Sequence, residues 1–236
     1  METDKICIWC DKPFYCGDDI VELKNCLGLY KKMSLNTKSF DINKVVFEDA
    51  KHVANGNVKF DRIYIKYLHD DGTLSKLSIV TPKLFSWGVQ ENKFDNKNVD
   101  SYTLPLVMYN QLNGPTEEET ETIEIFEAIL DKIKIHLKKV YKHMTSEIDS
   151  MKIFYGKEDR APTMYPKLLT EFRKDPSCPL KISTEFYDEN VMPINPIDFI
   201  GERCNVVGTV IFDNIYIGKK PSIQLKLDEV FVLKQF

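Results

Sequence analysis

The chain has 236 residues, of which 43% are hydrophobic and 11% aromatic, and its formal net charge is −4. These values are typical of one large globular domain, alone or with an appendage, and they exclude a domain that is basic as a whole, as many duplex-DNA-binding domains are. The sequence contains no run of about eighteen apolar residues, and its acidic N-terminus lacks the apolar core of a secretory signal. We therefore expect a cytoplasmic protein without a membrane span.

Four of the six cysteines lie in an N-terminal segment, residues 1–32. In an intracellular chain, cysteines are more often thiols or metal ligands than disulfides. The spacing Cys7-Ile-Trp-Cys10 is half of a typical zinc site, and Cys16 and Cys26 could complete a set of four thiolates. No other cofactor is expected. The alternative is an appendage of unused thiols, because the second pair is widely spaced.

The remainder, residues 33–236, is predicted to form one β-rich domain, and a hairpin is its clearest element. Side chains alternate over 60–68 and 74–80, and Asp71-Gly72 between them suits a tight turn. Three side chains of the first strand are predicted to face the core: Ile63, Ile65 and Tyr67. The outward face alternates cation and ring: Arg62, Tyr64 and Lys66.

Rings and cations on an open β-surface are typical of proteins that bind single-stranded nucleic acid. A ring stacks on any base, and Lys or Arg holds the phosphates. Lys76 extends the hairpin face, and Lys83-Leu-Phe85-Ser-Trp87 repeats the same mixture a few residues later. The alternatives are a solvated face for the hairpin set and burial in the core for Phe85 and Trp87.

One long helix is predicted over about 116–143. Thr116 follows Pro115 and precedes Glu119 by three residues, which is a capping-box pattern. Apolar residues then recur at spacings of three and four: Ile123, Phe126, Leu130, Ile133, Leu137 and Val140. Acidic residues fill the first half and lysines the second, an order that complements the helix dipole.

An irregular stretch after the helix interleaves cations, rings and loop-forming residues: Tyr155, Lys157, Arg160, Tyr165 and Lys167. Such a loop could clamp a nucleic-acid strand against the sheet, because binding residues often lie on loops. A connector containing proline would have a similar composition.

Strands return over 204–213, 215–217 and 222–233, and Gly208 inside the first of these runs predicts a bulge or a sharp bend. Strands, one helix and strands again predict a mainly β, α+β fold. We expect an OB-like barrel with a long inserted or capping helix, and a mixed α+β sandwich is the nearest competitor. Motifs of nucleophilic, zinc-protease, Walker or Rossmann sites do not occur, so we expect no catalytic residues and a protein that is not an enzyme.

Four stretches carry a family resemblance: 63–67, 77–88, 104–106 before the capped helix, and 208–232. Their order resembles the single-stranded-DNA-binding proteins of large nucleocytoplasmic DNA viruses, of the African swine fever virus and mimivirus types, over about residues 40–236. The resemblance implies an OB-fold core and sequence-tolerant binding of single strands, with DNA favoured over RNA. It also implies a role in viral DNA replication, recombination or repair in the host cytoplasm, with other replication proteins as partners.

The leading hypothesis is therefore a single-stranded-DNA-binding protein. Its predicted phosphate contacts are Arg62, Lys66, Lys76 and Lys83, and its predicted stacking residues are Tyr64, Tyr155 and Tyr165, with Phe85 or Trp87 if exposed. The loop cations Lys157, Arg160 and Lys167 complete the predicted set. Two alternatives stay open. One is a structural or adaptor protein of a virion or replication complex, and the other is a zinc-containing transcription accessory factor. The second is suggested by the segment Cys7–Cys26 of this chain, which looks like the zinc knuckle of treble-clef-like modules in viral transcription factors.

Overall fold

The structure is mainly β, with one helix of 24 residues packed against the sheet. This computed structural model describes residues 35, 37–55, 58–93, 98–156, 160–173 and 178–235. Its strands are β1 (Val45–Phe47), β2 (Lys51–Asn55), β3 (Val58–Leu68), β4 (Leu74–Val80), β5 (Leu84–Ser86), β6 (Gln90–Lys93), β7 (Val99–Thr103), β8 (Leu106–Val107), β9 (Thr163–Met164), β10 (Lys167–Leu168), β11 (Glu185–Tyr187), β12 (Cys204–Ile217) and β13 (Ser222–Gln235). Its α-helices are α1 (Glu117–Val140) and α2 (Thr145–Asp149).

Two antiparallel strands of 14 residues, β12 and β13, hold the sheet together. The main path of pairing runs β1-β3-β4-β12-β13-β10-β7-β6. Because β3 pairs with both β4 and β12, and β4 also pairs with β12, the sheet curls on itself. The pairing of β12 with β13 shifts register between Gly208 and Val210, which confirms the predicted bulge. The mainly β, α+β class is thus confirmed, and the curled sheet is consistent with an OB-like fold.

The predicted hairpin is present as β3 and β4. Its turn closes with a hydrogen bond from the His69 N–H to the Thr73 carbonyl at 2.9 Å, and Gly72 has a φ of +80°. Ile63, Ile65 and Tyr67 are buried, as the alternation predicts. The hairpin therefore presents one face to the core and leaves the other available to neighbouring segments.

Helix α1 begins with the predicted capping box. The Glu119 N–H donates to Thr116 Oγ1 at 3.2 Å, and the Thr116 N–H donates to Glu119 Oε2 at 2.7 Å. The buried face consists of Thr122, Phe126, Ile129, Ile133 and Leu137. Within the described residues, no helix combines the length and the apolar character needed to cross a membrane.

The end of α1 differs from the prediction, which extended the helix to about residue 143. The helix ends at Val140, and a short 3₁₀ turn follows at Lys142–Met144. Tyr141 leaves helical geometry with a φ of −114° and a ψ of 62°, and its hydroxyl donates to Asp61 Oδ2 on β3 at 2.8 Å. This long-range hydrogen bond accompanies the break in the helix, and Val140 is exposed instead of lying on the apolar stripe.

Candidate nucleic-acid interface

Short strands β5, β8 and β9 extend the sheet sideways from the start of β12. Adjacent strands place one residue each in a continuous row: Asn205, Phe85, Val107, Thr163 and Tyr155. Neighbouring strands lie about 4.8 Å apart, so a row of five spans about 19 Å. Paired residues share a face of the sheet, and this row therefore forms one continuous surface.

The next row along the same strands points the other way. Cys204, Ser86, Leu106 and Met164 are partners in register, and all four are buried. Burial raises the pKa of the Cys204 thiol to about 11. Because side chains alternate along a strand, the burial of this row turns the row from Asn205 to Tyr155 outward.

The outward row forms the floor of a groove with a volume of about 890 Å³. Six residues predicted to bind nucleic acid line it: Lys83, Phe85, Trp87, Tyr155, Arg160 and Tyr165. We call this surface the aromatic groove. It brings together two predicted sets that are about seventy residues apart in the sequence, one on β5 and one around β9.

Two ring pairs stand in the aromatic groove. Phe85 and Trp87 meet edge to face with centroids 4.8 Å apart, and Tyr155 and Tyr165 meet in the same way at 5.9 Å. Trp87, Tyr155 and Tyr165 are each exposed by about half, at 46%, 53% and 47%. Burial in the core, the alternative for Trp87, does not occur, and Phe85 is half-buried. The rings are thus fixed by contact with one another and still present surface for stacking.

Three cations accompany the rings. Lys83 and Arg160 are exposed in the groove lining, and the Arg203 guanidinium lies 5.1 Å from the Trp87 ring centroid. Within the described part of the chain, none of the three forms an ion pair. The one carboxylate among the described lining residues, Glu119, is held by the capping box. The electrostatic character of the lining is therefore positive.

Gly88 sets the position of Trp87. Its φ is +85°, and a Cβ there would lie 2.4 Å from the Glu202 carbonyl oxygen and 2.6 Å from the Phe199 carbonyl oxygen. The next residue, Val89, donates its N–H to the same Phe199 carbonyl at 2.8 Å. Only glycine accommodates both the positive φ and the close approach of the backbone.

The hairpin residues Arg62, Tyr64 and Lys66 lie on a different surface, half-buried rather than open. Strand β2 pairs with the first part of β3, where Lys51 lies opposite Arg62, and β1 pairs with a later part, where Val46 lies opposite Lys66. Lys66 Nζ lies 3.4 Å from Glu48 Oε1, and Lys51 Nζ lies 3.1 Å from Glu48 Oε2. Glu48 thus occupies both lysines, and Lys66 is less available to a ligand than an unpaired lysine.

The remaining predicted cations are separate from the aromatic groove. Lys76 is exposed on β4 opposite Lys66, and Lys167 is exposed on β10 opposite Thr103. Lys157 lies outside the described residues. Six of the predicted binding residues therefore lie together in the aromatic groove, and the hairpin set and these lysines lie outside it.

Three residues were not predicted from the sequence: Tyr109 and Asn205, which line the groove, and Arg203, which contacts Trp87. Tyr109 stands two residues after Val107 and so follows it on the same face, a signal that a two-residue strand is too short to reveal. Arg203 directly precedes β12, and Asn205 is the second residue of this mainly apolar strand. The contact of Arg203 with Trp87 and the pairing of Asn205 with Phe85 are both tertiary, so the local sequence does not reveal them.

The predicted zinc ligands Cys7, Cys10, Cys16 and Cys26 all lie outside the described residues, and the zinc site stays a prediction. In the part of the chain that the structure describes, no three His, Cys, Asp or Glu side chains are grouped to hold a metal ion.

Comparisons with known proteins find a matching family and a viral relative. The family model described as "Protein of unknown function (DUF2738)" matches residues 37–235. The "Early 31 kDa protein" of Frog virus 3 (isolate Goorha), a large DNA virus, is 35% identical over 218 residues, which cover 85% of this chain and 80% of that protein. The match supports the predicted large-DNA-virus relationship, and the African swine fever virus and mimivirus types stay a prediction.

Among solved structures, the chain is similar to the crystal structure of gp2.5, a single-stranded DNA binding protein encoded by bacteriophage T7. The TM-score is 0.43 at 13% sequence identity, and the match covers 69% of this chain and 88% of that one. At this identity the alignment does not identify corresponding binding residues.

Proposed function

Because the chain belongs to the DUF2738 family, whose function is unknown, we propose a function from the chemistry of the aromatic groove: non-catalytic binding of single-stranded DNA. The observation that carries the proposal is the meeting of half-exposed rings and unpaired cations on one outward β-face. Trp87, Tyr155 and Tyr165 would stack on bases, while Lys83 and Arg160 would contact phosphates.

The arrangement of the rings favours a single strand over a duplex. A base can stack on a side chain only when it is not stacked on its neighbours, as in a flexible strand. Each base–ring contact contributes about 1–3 kcal/mol and tolerates any base. The groove row is about 19 Å long, which suits a short run of nucleotides. The net charge of −4 is compatible with this, because a local patch suffices for phosphate contacts.

We propose DNA rather than RNA, and a role in viral DNA replication, recombination or repair in the host cytoplasm. The frog virus 3 relative is a protein of a large DNA virus and is named as an early protein. A protein that coats single strands during viral replication must be made early, so the relative's name agrees with this role.

A fluorescence-polarisation titration with a labelled, unstructured DNA oligonucleotide tests the proposal. We expect binding at low salt, and a loss of about thirtyfold or more in the double variant Trp87→Ala with Tyr155→Ala, because two stacking contacts disappear. The matched control, Tyr64→Ala with Lys76→Ala on the hairpin face, should bind within about twofold of wild type. Absence of binding, or a larger loss in the hairpin variant, would contradict the proposal.

The salt dependence of the same titration tests the phosphate contacts. Each neutralised phosphate of a single strand contributes about −0.7 to the slope of log K against log salt concentration. Lys83→Ala should therefore flatten the slope by about 0.7. Lys66→Ala, which removes a lysine already paired with Glu48, should leave the slope unchanged.

A further inference from the structure

The floor of the aromatic groove contains one amide that the stacking model does not use. Asn205 lies between Cys204 and Val206, which are both buried, and its own side chain points into the groove. It is the direct cross-strand partner of Phe85. Side chains so paired have Cβ atoms about 5 Å apart, so the amide stands beside the Phe85 ring.

Within the described residues, the Asn205 amide forms no hydrogen bond with the protein. The neighbouring groove residue Asn110 differs, because its Oδ1 accepts the Leu112 N–H at 2.9 Å. An amide offers two donor hydrogens and an accepting oxygen, and at Asn205 these face the open groove, where they are free to pair with a ligand. A ligand in the groove would provide the missing partner.

We propose that Asn205 reads the base edge that a duplex presents in its major groove, and that the base read is preferentially adenine, because on that edge only adenine offers an amino donor next to a ring-nitrogen acceptor. The inference rests on the proposed function. A base stacked near the Phe85–Trp87 pair places its edge toward the amide on the same floor. Asparagine pairs in a bidentate manner with adenine, accepting from the 6-amino group and donating to the adjacent ring nitrogen. Binding is then tolerant of sequence at most positions and selective at one.

Competition between two unlabelled oligonucleotides tests this inference in the intact protein. One is oligo-dT of about twelve nucleotides, and the other carries a single central dA. We expect wild type to prefer the dA oligonucleotide by about fivefold, the lower range for a bidentate contact. In Asn205→Leu, which keeps a similar side-chain size without the amide, the ratio of the affinities for the dA oligonucleotide and for oligo-dT should fall to about one.

A change in the ligand gives a second test that does not depend on how the variant folds. Replacement of the central dA by 2′-deoxynebularine, a purine without the 6-amino group, should abolish the preference in wild type. Equal binding of all oligonucleotides, or a preference that nebularine or Asn205→Leu retains, overturns the inference and leaves the proposed function intact. Failure of oligo-dT itself to bind would instead overturn the proposed function.

Discussion

The guanidinium of Arg203 lies 5.1 Å from the centroid of the Trp87 ring. Arginine stacks on aromatic faces and can still donate hydrogen bonds from the edge of its planar group. The pair therefore holds a ring and a group of hydrogen-bond donors together in the folded chain. Because less side-chain freedom is lost on binding, such preorganisation increases affinity.

Substitutions of Arg203 separate its charge from its planar shape. We expect Arg203→Ala to weaken oligonucleotide binding by about tenfold and to flatten the salt slope by about 0.7, because one phosphate contact is lost. Arg203→Lys should keep the wild-type slope and lose only part of the affinity, because lysine retains the charge without the planar group. Polarisation titrations at several salt concentrations give both quantities. A wild-type slope in Arg203→Ala would show that Arg203 contacts no phosphate.

Two glycines with similar φ values differ in what surrounds them. Gly88→Ala should lower the free energy of unfolding by about 3 kcal/mol, because a Cβ would lie 2.4 Å from the Glu202 carbonyl oxygen. Gly72→Ala, where no atom lies within 4 Å of the added Cβ, should cost about 1 kcal/mol from the left-handed backbone alone. Urea unfolding measures both. Equal losses would mean that the Trp87–Gly88 turn does not approach Glu202 as described.

Phe126 is one of the residues that anchor the long helix to the sheet. This ring is fully buried and meets Phe212 of β12 edge to face, with centroids 5.0 Å apart. Phe126→Ala should therefore reduce the free energy of unfolding by about 3–5 kcal/mol. Ile135→Ala on the same helix, where the side chain is 57% exposed, should change it by less than about 0.5 kcal/mol. Chemical denaturation of the two variants makes the comparison, and similar losses would contradict this orientation of the helix.

Acid should weaken the link between the end of α1 and the sheet. Asp61 Oδ1 lies 2.6 Å from His52 Nδ1, and Asp61 Oδ2 accepts the Tyr141 hydroxyl at 2.8 Å. These hydrogen bonds, the one with His52 first, lower the pKa of Asp61 below its ordinary 3.8. The stabilisation is present above the unfolded-state pKa and is lost as pH falls through the lower folded-state pKa.

The free energy of unfolding, measured from about pH 5 to pH 2, should therefore fall less steeply in Asp61→Asn than in wild type. Asp131→Asn, which removes an exposed carboxylate from α1, is the matched control and should keep the wild-type profile. A wild-type profile in Asp61→Asn as well would show that this carboxylate does not couple folding to pH.

Features set by neighbouring residues could be predicted from the sequence. Asp71-Gly72 marks the hairpin turn, and Thr116 with Glu119 marks the start of the helix, because the chemistry of both lies within a few residues. The end of the helix could not be predicted, since Tyr141 contacts Asp61, 80 residues away. Strands of two or three residues, such as β8, are too short to show a period.

The candidate site was predictable in its parts and not in its assembly. The mixtures of ring and cation around Phe85 and around Tyr155 are visible in the sequence, but their meeting depends on the pairing of β5 with β8 and of β8 with β9. The hairpin face illustrates the reverse case. Its alternation is visible, but Glu48 reaches Lys66 only in the folded chain.

The most direct test of the central claim is the fluorescence of Trp87 during titration with DNA. The chain has two tryptophans, so Trp9→Phe leaves Trp87 as the only tryptophan, which is excited selectively at wavelengths that tyrosine does not absorb. If Trp87 stacks on bases, unlabelled single-stranded DNA should quench this emission at low salt, and added salt should restore it. Duplex DNA of equal length should quench little. Emission that does not change at saturating single-stranded DNA, or that duplex quenches equally, would contradict the aromatic groove as a single-strand binding site.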